Sequence, residues 1–82
     1  MLTENKLTQD QVDIIFDEAD IVETIVFHKC LIVSAKLRNG FVIVESSACV
    51  DPLNFDIEIG REKCCDRIKN KIWELEGYKL HK

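Results

Sequence analysis

The stretch CLIVSAKLRNGFVIVESSA, residues 30–48, decides the fold of this 82-residue chain. Asn39 and Gly40 separate two apolar segments. This dipeptide is the strongest short cue for a β-hairpin, because a type I′ turn needs positive φ at both of its central positions. With a two-residue loop, Arg38 lies opposite Phe41 and Leu37 opposite Val42. One face of the hairpin is then almost wholly apolar and is expected to pack on a helix; it carries Leu31, Val33, Ala35, Leu37, Val42 and Val44.

The other face of this hairpin is mixed in character and is expected to meet a polar partner. It carries Ile32, Ser34, Lys36, Arg38, Phe41, Ile43, Glu45 and Ser47. A hairpin alone is not stable in water. A third strand must therefore come from the β-branched segment Ile21–Phe27, or another subunit must supply one.

Helices are predicted on both sides of the hairpin. Thr8 and Gln11 form a capping box, which predicts a helix from about Thr8 to Ala19. Pro52 ends the second strand, and Asp56 caps a long C-terminal helix that Gly77 is expected to end. One stripe of that helix should face the sheet; it holds Ile57, Arg61, Cys64, Ile68, Ile72 and Leu75. The prediction is one α+β domain over residues 1–82: an N-terminal helix, an antiparallel hairpin or three-stranded meander, and a long C-terminal helix packed on the sheet.

Composition and charge exclude several classes of function. The formal net charge of −4 argues against binding a nucleic acid polymer, and the chain has no apolar run long enough for a membrane span. The polar N-terminus has no secretory pattern, so we expect a cytoplasmic protein whose four cysteines are thiols.

The spacing of His28, Cys30 and Cys64-Cys65 matches no standard zinc pattern, so no metal and no cofactor are expected. Motifs for catalysis are also missing, which predicts that the protein is not an enzyme.

Arg61 is the unexpected residue on the helical stripe. Its planar guanidinium suits bidentate binding of a phosphate or an acidic partner, and Gly60 beside it allows a close approach. The alternative is an arginine that covers apolar surface or pairs with Glu58, Glu62 or Asp51. Both interpretations stay open at the level of sequence.

A second group of candidates lies on the hairpin and just after it. Arg38 and Phe41 are either an exposed cross-strand pair or a platform on which a base stacks while the arginine meets a phosphate. Ser47 and Asn54 add hydrogen-bonding groups, although such residues near a strand end are usually turn residues. The predicted ligand-binding residues are Arg38, Phe41, Ser47, Asp51, Asn54 and Arg61.

The run LRNGFVIVESSACVDPLNFDIEIGREKC, followed by NKIWELEGYKL, resembles a family of small tailed-phage proteins. The likeness covers about Leu37 to Leu80 and includes an N-G-F hairpin, a V-D-P-x-N-F-D-x-E-I-G segment and a W-x-L-E-G-Y ending. The motif positions that match are Asn39, Gly40, Phe41, Asp51, Pro52, Asn54, Phe55, Gly60, Trp73, Gly77 and Tyr78.

Within that family the chain looks like the Thoeris anti-defence sponges. These proteins hold, without cleaving it, the cyclic ADP-ribose isomer that bacterial TIR enzymes make, so that the effector is not activated. The resemblance implies a homo-oligomer, a dimer or an assembly of dimers, with ligand sites between subunits in the cytoplasm of the infected bacterium. Related sponges also bind cyclic oligonucleotides. The alternative is a small phage protein that inhibits a host protein through the mixed face of its sheet.

Overall fold

The computed structural model describes residues 7–81 and has an α+β architecture. Its elements follow the chain in a simple order: α1 (Gln9–Asp17), β1 (Asp20–Val26), β2 (Cys30–Lys36), β3 (Val42–Ala48), a short 3-10 helix (Pro52–Asn54) and α2 (Ile57–Leu80). The strands form one antiparallel sheet in the order β1-β2-β3, and α2 packs on it. The predicted fold class is confirmed, in its three-stranded form. Within residues 7–81, no helix combines the length and apolar character that a membrane span requires.

Helix α1 begins where its capping box predicts. The Thr8 hydroxyl accepts from the Gln11 main-chain N–H at 3.3 Å, and the Gln11 side chain accepts from the Thr8 N–H at 2.9 Å. Val12 is fully buried, and Lys69 of α2 pairs with Asp13 at 3.3 Å. The helix ends at Asp17, before the predicted end at Ala19, and it is held against α2 by both apolar contact and this ion pair.

The hairpin between β2 and β3 has a different register from the predicted one. Lys36 pairs with Val42, and the Leu37 N–H donates to the Phe41 carbonyl at 2.8 Å. The loop therefore has three residues, 38–40, in which Gly40 adopts φ 95°. A type I turn followed by one left-handed residue closes such a loop and needs positive φ only at the glycine. The predicted two-residue loop was wrong because the same Asn-Gly cue fits both loop lengths.

This shift of one residue turns β3 over, since side chains alternate between the two faces of a strand. Ile43 is 5% exposed and faces the core, whereas Val44 is 56% exposed and faces away from α2. The expectation that Val42 and Val44 lie on the apolar face was wrong. Glu45 and Ser47 share the inner face with Ile43, and the outer face of the sheet carries exposed valines at positions 22, 42 and 44.

The core lies between α2 and the inner face of the sheet. Its buried residues are Val12, Leu31, Val33, Ala35, Leu37, Ile43, Cys64, Ile68 and Ile72. The predicted stripe of α2 is confirmed at Cys64, Ile68 and Ile72, which are fully buried. Gly60 is buried at the point where α2 crosses close to Leu31. The predicted helix end at Gly77 was wrong, since α2 continues to Leu80. The His81 N–H donates to the Tyr78 carbonyl and caps the helix there.

Candidate functional site

The predicted ligand-binding residues do not gather at one place in the chain. Arg38 and Phe41 lie at the end of the sheet where β2 turns into β3, which we call the hairpin end. Ser47 and Asn54 lie near the start of α2, which we call the helix-start end. Strands of seven residues separate these ends by about 20 Å. One small ligand bound to a single chain therefore cannot contact both groups.

Two adjoining clefts open at the hairpin end, between the β2–β3 turn and the last turns of α2. Their cavity volumes are about 230 Å³ and about 190 Å³. Arg38 lines the first, Phe41 and Tyr78 line the second, and the two clefts have in common Leu37, Asn39, Glu76 and Lys79. The hairpin thus places Arg38 and Phe41 around the same two clefts as Lys79 and Tyr78 of α2.

Each cation at the hairpin end is itself largely exposed and pairs with one carboxylate. Arg38 Nη1 lies 3.3 Å from Glu18 Oε1, and Lys79 Nζ lies 3.3 Å from Glu76 Oε1. Exposed ion pairs of this kind are worth about 0–1 kcal/mol, so an anionic group on a ligand can compete for both cations. The sequence prediction named Arg38 but missed Lys79, because its proximity follows from the extension of α2 past Gly77.

The aromatic rings at the same end are open to solvent. Phe41 is 50% exposed and Tyr78 is 80% exposed. The Asn39 side chain accepts from the Phe41 N–H at 3.0 Å and fixes the turn on which this ring stands. Exposed rings beside cations are the arrangement that stacks bases while phosphates are neutralised. Tyr78 belongs to the W-x-L-E-G-Y ending that carries the family resemblance, but its position beside Phe41 follows only from the fold.

The cleft at the helix-start end is smaller, about 80 Å³, and includes Ser47, Asn54 and Lys63. Polar groups in this cleft, and at Asp51 just before it in the sequence, are engaged within the chain. The Asp51 carboxylate accepts from the Leu53 N–H at 3.0 Å, and Asp56 accepts from the Glu58 N–H at 2.9 Å. Such bonds satisfy main-chain donors at the starts of helices. Asp51 therefore caps the short 3-10 helix that follows it. Its role in ligand binding stays a prediction.

Arg61 is bound to carboxylates of its own chain. Its Nε and Nη2 lie 2.5 Å and 2.9 Å from the two oxygens of Glu23, and Nη1 lies 3.0 Å from Glu58. Hydrogen bonding and charge from Arg61 lower the pKa of Glu23, and Glu23 in turn raises the pKa of the guanidinium. Pairing with Glu58 was among the sequence interpretations. Glu23 was missed because it is 38 positions away, and the contact depends on how α2 crosses the sheet.

The β1–β2 turn has a backbone that the sequence did not predict. Phe27 and His28 have φ of 55° and 58°, and Phe27 is 82% exposed. Left-handed backbone at non-glycine residues costs on the order of 1–3 kcal/mol each. The Lys29 carbonyl accepts from the Cys49 N–H at 2.9 Å, which ties this turn to the end of β3. Val50 and Leu53 are also exposed there, so the helix-start end offers apolar side chains beside the exposed cation Lys63.

The cysteines of the described residues are free thiols. Cys64 is fully buried, and burial raises the pKa of both Cys64 and Cys65. These two thiols therefore stay protonated at neutral pH, which makes them poor nucleophiles and poor metal ligands. Between residues 7 and 81, no cluster of three or more His, Cys, Asp or Glu side chains has the arrangement needed to hold a metal ion.

Comparison with known proteins places the chain beside phage proteins. The family described as "Phage protein (N4 Gp49/phage Sf6 gene 66) family" has a model that matches residues 7–82. No curated protein matches the chain, and no solved structure does. The matched range includes both ends of the sheet and all of the predicted ligand-binding residues.

Proposed function

Because the chain belongs to the phage protein family named for N4 Gp49 and phage Sf6 gene 66, we propose that it is an anti-defence sponge. It binds a cyclic ADP-ribose-type signalling nucleotide in the cytoplasm of the infected bacterium and keeps that nucleotide from the Thoeris effector. The support is the sequence likeness to such sponges from Leu37 to Leu80, together with the family match and the composition of the hairpin end.

The observation that carries the proposal is the meeting of Arg38 and Lys79 with Phe41 and Tyr78 around two adjoining clefts. A cyclic ADP-ribose isomer presents two phosphates, two riboses and an aromatic base. Arginine and lysine neutralise the phosphates, and the rings stack the base. Asn39 adds an amide within reach of both clefts. Binding by these groups requires no catalytic residue, so the proposed protein releases its ligand unchanged.

The size of the clefts favours a site that two subunits share. Small-molecule pockets usually have volumes of about 300–1,000 Å³, and each cleft at the hairpin end is smaller than that. A second chain would supply the missing walls, which agrees with the dimer, or assembly of dimers, that the resemblance implies. Arg61, Ser47, Asp51 and Asn54 of a neighbouring chain remain proposed contacts in such a site.

Isothermal titration calorimetry of the full chain with a cyclic ADP-ribose isomer tests the proposal, with linear ADP-ribose as the matched control. We expect tight, reversible binding of the cyclic form and recovery of the intact nucleotide after heat denaturation. Cyclic oligonucleotides are titrated in the same way as a second ligand class. Absence of heat with every cyclic nucleotide at high protein concentration would contradict the proposal. Recovery of a cleaved product would show that the protein is an enzyme and not a sponge.

A second candidate is a protein-interaction module that inhibits a host protein. The observation in its favour is the outer face of the sheet, where Val22, Val42 and Val44 are exposed. Apolar side chains on a sheet face are usually covered by a second layer. A pull-down from host lysate distinguishes the two functions: one stoichiometric host protein, retained without any small molecule, favours the interaction module.

A further inference from the structure

Strand β1 has a free edge whose main-chain groups have no partner in the sheet. The Leu37 N–H bonds to β3, so alternation along β2 directs the main-chain groups of Lys36, Ser34 and Ile32 toward β1. Their partners in β1 are the residues at positions 20, 22 and 24. The N–H and C=O groups of the intervening residues, Ile21, Glu23 and Ile25, therefore point away from the sheet.

The side chains of β1 are also uncovered. Ile25 is 48% exposed on the inner face, and Val22 is exposed on the outer face. Strands that must stay unpaired usually carry proline, lysine or a bulge at their edge. The sequence DIVETIV of β1 contains neither proline nor lysine. Its charged residues are Asp20 and Glu23, and the Glu23 carboxylate is paired with Arg61 of the same chain. A strand with a free edge is a template for pairing with another strand.

At the opposite edge of the sheet, formed by β3, helix α2 binds one main-chain group. Arg67 of α2 donates from Nη1 to the main-chain oxygen of Ser46 in β3 at 2.6 Å. Helix α2 crosses over β3 and β2 rather than β1. Helix α2 thus donates a hydrogen bond to the main chain at the β3 edge, whereas it lies away from the β1 edge.

We propose that β1 pairs in antiparallel fashion with β1 of a second copy of this chain, about a two-fold axis at Glu23. Two three-stranded sheets then join into one continuous sheet of six strands. In this register, Ile21 of each chain lies opposite Ile25 of the other, and Val22 lies opposite Thr24. β-branched side chains pack well against their neighbours on a pleated sheet. The strand is complementary to itself in this register, and this favours a second copy over an unrelated partner.

The Arg61–Glu23 pair gives this interface its charge balance. Two Glu23 carboxylates meet at the two-fold axis, and like charges directly opposite each other destabilise a strand pair. Each carboxylate already accepts two hydrogen bonds from its own Arg61. Arg61 therefore acts in the inferred dimer as the group that makes the central pair neutral.

This inference rests on the homo-oligomer of the proposed function. The β1–β1 dimer needs no nucleotide, so a failure of the dimer test can be distinguished from a failure of nucleotide binding. The test is the mass of the nucleotide-free full chain by size-exclusion chromatography with light scattering. Ile25→Lys and Val44→Lys form a matched pair, since each places a cation at a half-exposed apolar position of an edge strand. We expect the wild type and Val44→Lys to be dimers or larger even assemblies, and Ile25→Lys to dissociate at least ten times more readily. A monomeric wild type, or a loss of assembly in Val44→Lys but not in Ile25→Lys, overturns the inference.

Amide hydrogen exchange keeps the inference testable if Ile25→Lys fails to fold. In the wild type, the N–H groups of Ile21, Glu23 and Ile25 are expected to exchange at least ten times more slowly at high protein concentration than on dilution. The N–H of Val44, at the edge of β3, is the internal control and should not change. Fast exchange at all three β1 positions, at a concentration where the protein is an oligomer, overturns the proposed interface whatever the nucleotide titrations give.

Discussion

The two ends of the sheet carry similar polar residues but differ in what those residues bind. At the helix-start end, Asp51 and Asp56 accept hydrogen bonds from main-chain groups two residues further along. At the hairpin end, the Arg38 and Lys79 side chains are 74% and 66% exposed and each pairs with one carboxylate. The ring of Tyr78 is open to solvent. Polar residues near a turn are readily used by their own backbone, whereas groups from distant elements that converge on a cleft remain available to a ligand.

The largest expected effect tests the register on which this comparison depends. Ile43 is buried in the observed register and Val44 is not. Ile43→Ala should lower the free energy of unfolding by about 2–4 kcal/mol, because it removes a buried side chain and leaves a cavity. Val44→Ala should change it by less than about 0.5 kcal/mol in the monomer, as at most surface positions. Urea denaturation at matched protein concentration gives both values, and the reverse ranking would restore the two-residue loop.

A somewhat smaller effect is expected on ligand binding at the hairpin end. Stacking of a base on an aromatic ring is worth about 1–3 kcal/mol by alanine substitution. Phe41→Ala should therefore weaken binding of the cyclic nucleotide by roughly 5- to 150-fold at 1.4 kcal/mol per tenfold change. Asn54→Ala, at the helix-start end, should cause a smaller loss. Calorimetric titration of both variants compares the ends directly, and a larger loss for Asn54→Ala would move the site to the helix-start end.

Glycine substitutions at the two ends should have effects of opposite sign. Gly40 has φ 95°, and an added side chain there is strained by about 1–2 kcal/mol. Gly60 is helical, and a Cβ at this position would lie 3.6 Å from Leu31 Cδ2, an ordinary contact. Gly60→Ala should therefore stabilise α2 by up to about 1 kcal/mol. Thermal unfolding of the two variants checks the signs, and a destabilised Gly60→Ala would mean that α2 lies closer to the sheet than described.

The smallest expected effect is a dependence of stability on pH that arises from Glu23. Arg61 lowers the pKa of this carboxyl in the folded chain. The pair therefore stabilises the fold above the unfolded-state pKa of about 4.3. That contribution is lost as the pH falls through the lower, folded-state pKa. The difference in unfolding free energy between the wild type and Glu23→Gln should shrink from pH 6 to pH 3, as denaturant titrations would measure. A difference that stays constant over this range would contradict the Arg61 contact.

Local sequence signals predicted the helices and strands of this fold. The register of β3 and the contacts between elements depend on residues far apart in the sequence. The capping box at Thr8 and the buried stripe through Ile68 were readable because each depends on residues within a few turns of a helix. The register of β3 was not readable, since the Asn-Gly cue permits a loop of two or three residues. The pairing of Arg61 with Glu23 and the approach of Tyr78 to Phe41 join elements far apart in the sequence. A pattern of spacing carries no information on such contacts.

Native mass spectrometry of the full chain, mixed with a cyclic ADP-ribose isomer, tests whether this protein sequesters the nucleotide as an oligomer. It reports the number of subunits and the bound mass together, before and after the complex is heated. We expect a homo-oligomer whose mass rises by whole ligand molecules, and a released nucleotide of unchanged mass and retention time. An assembly that gains no mass at any ligand concentration, or a released nucleotide of altered mass, would contradict it.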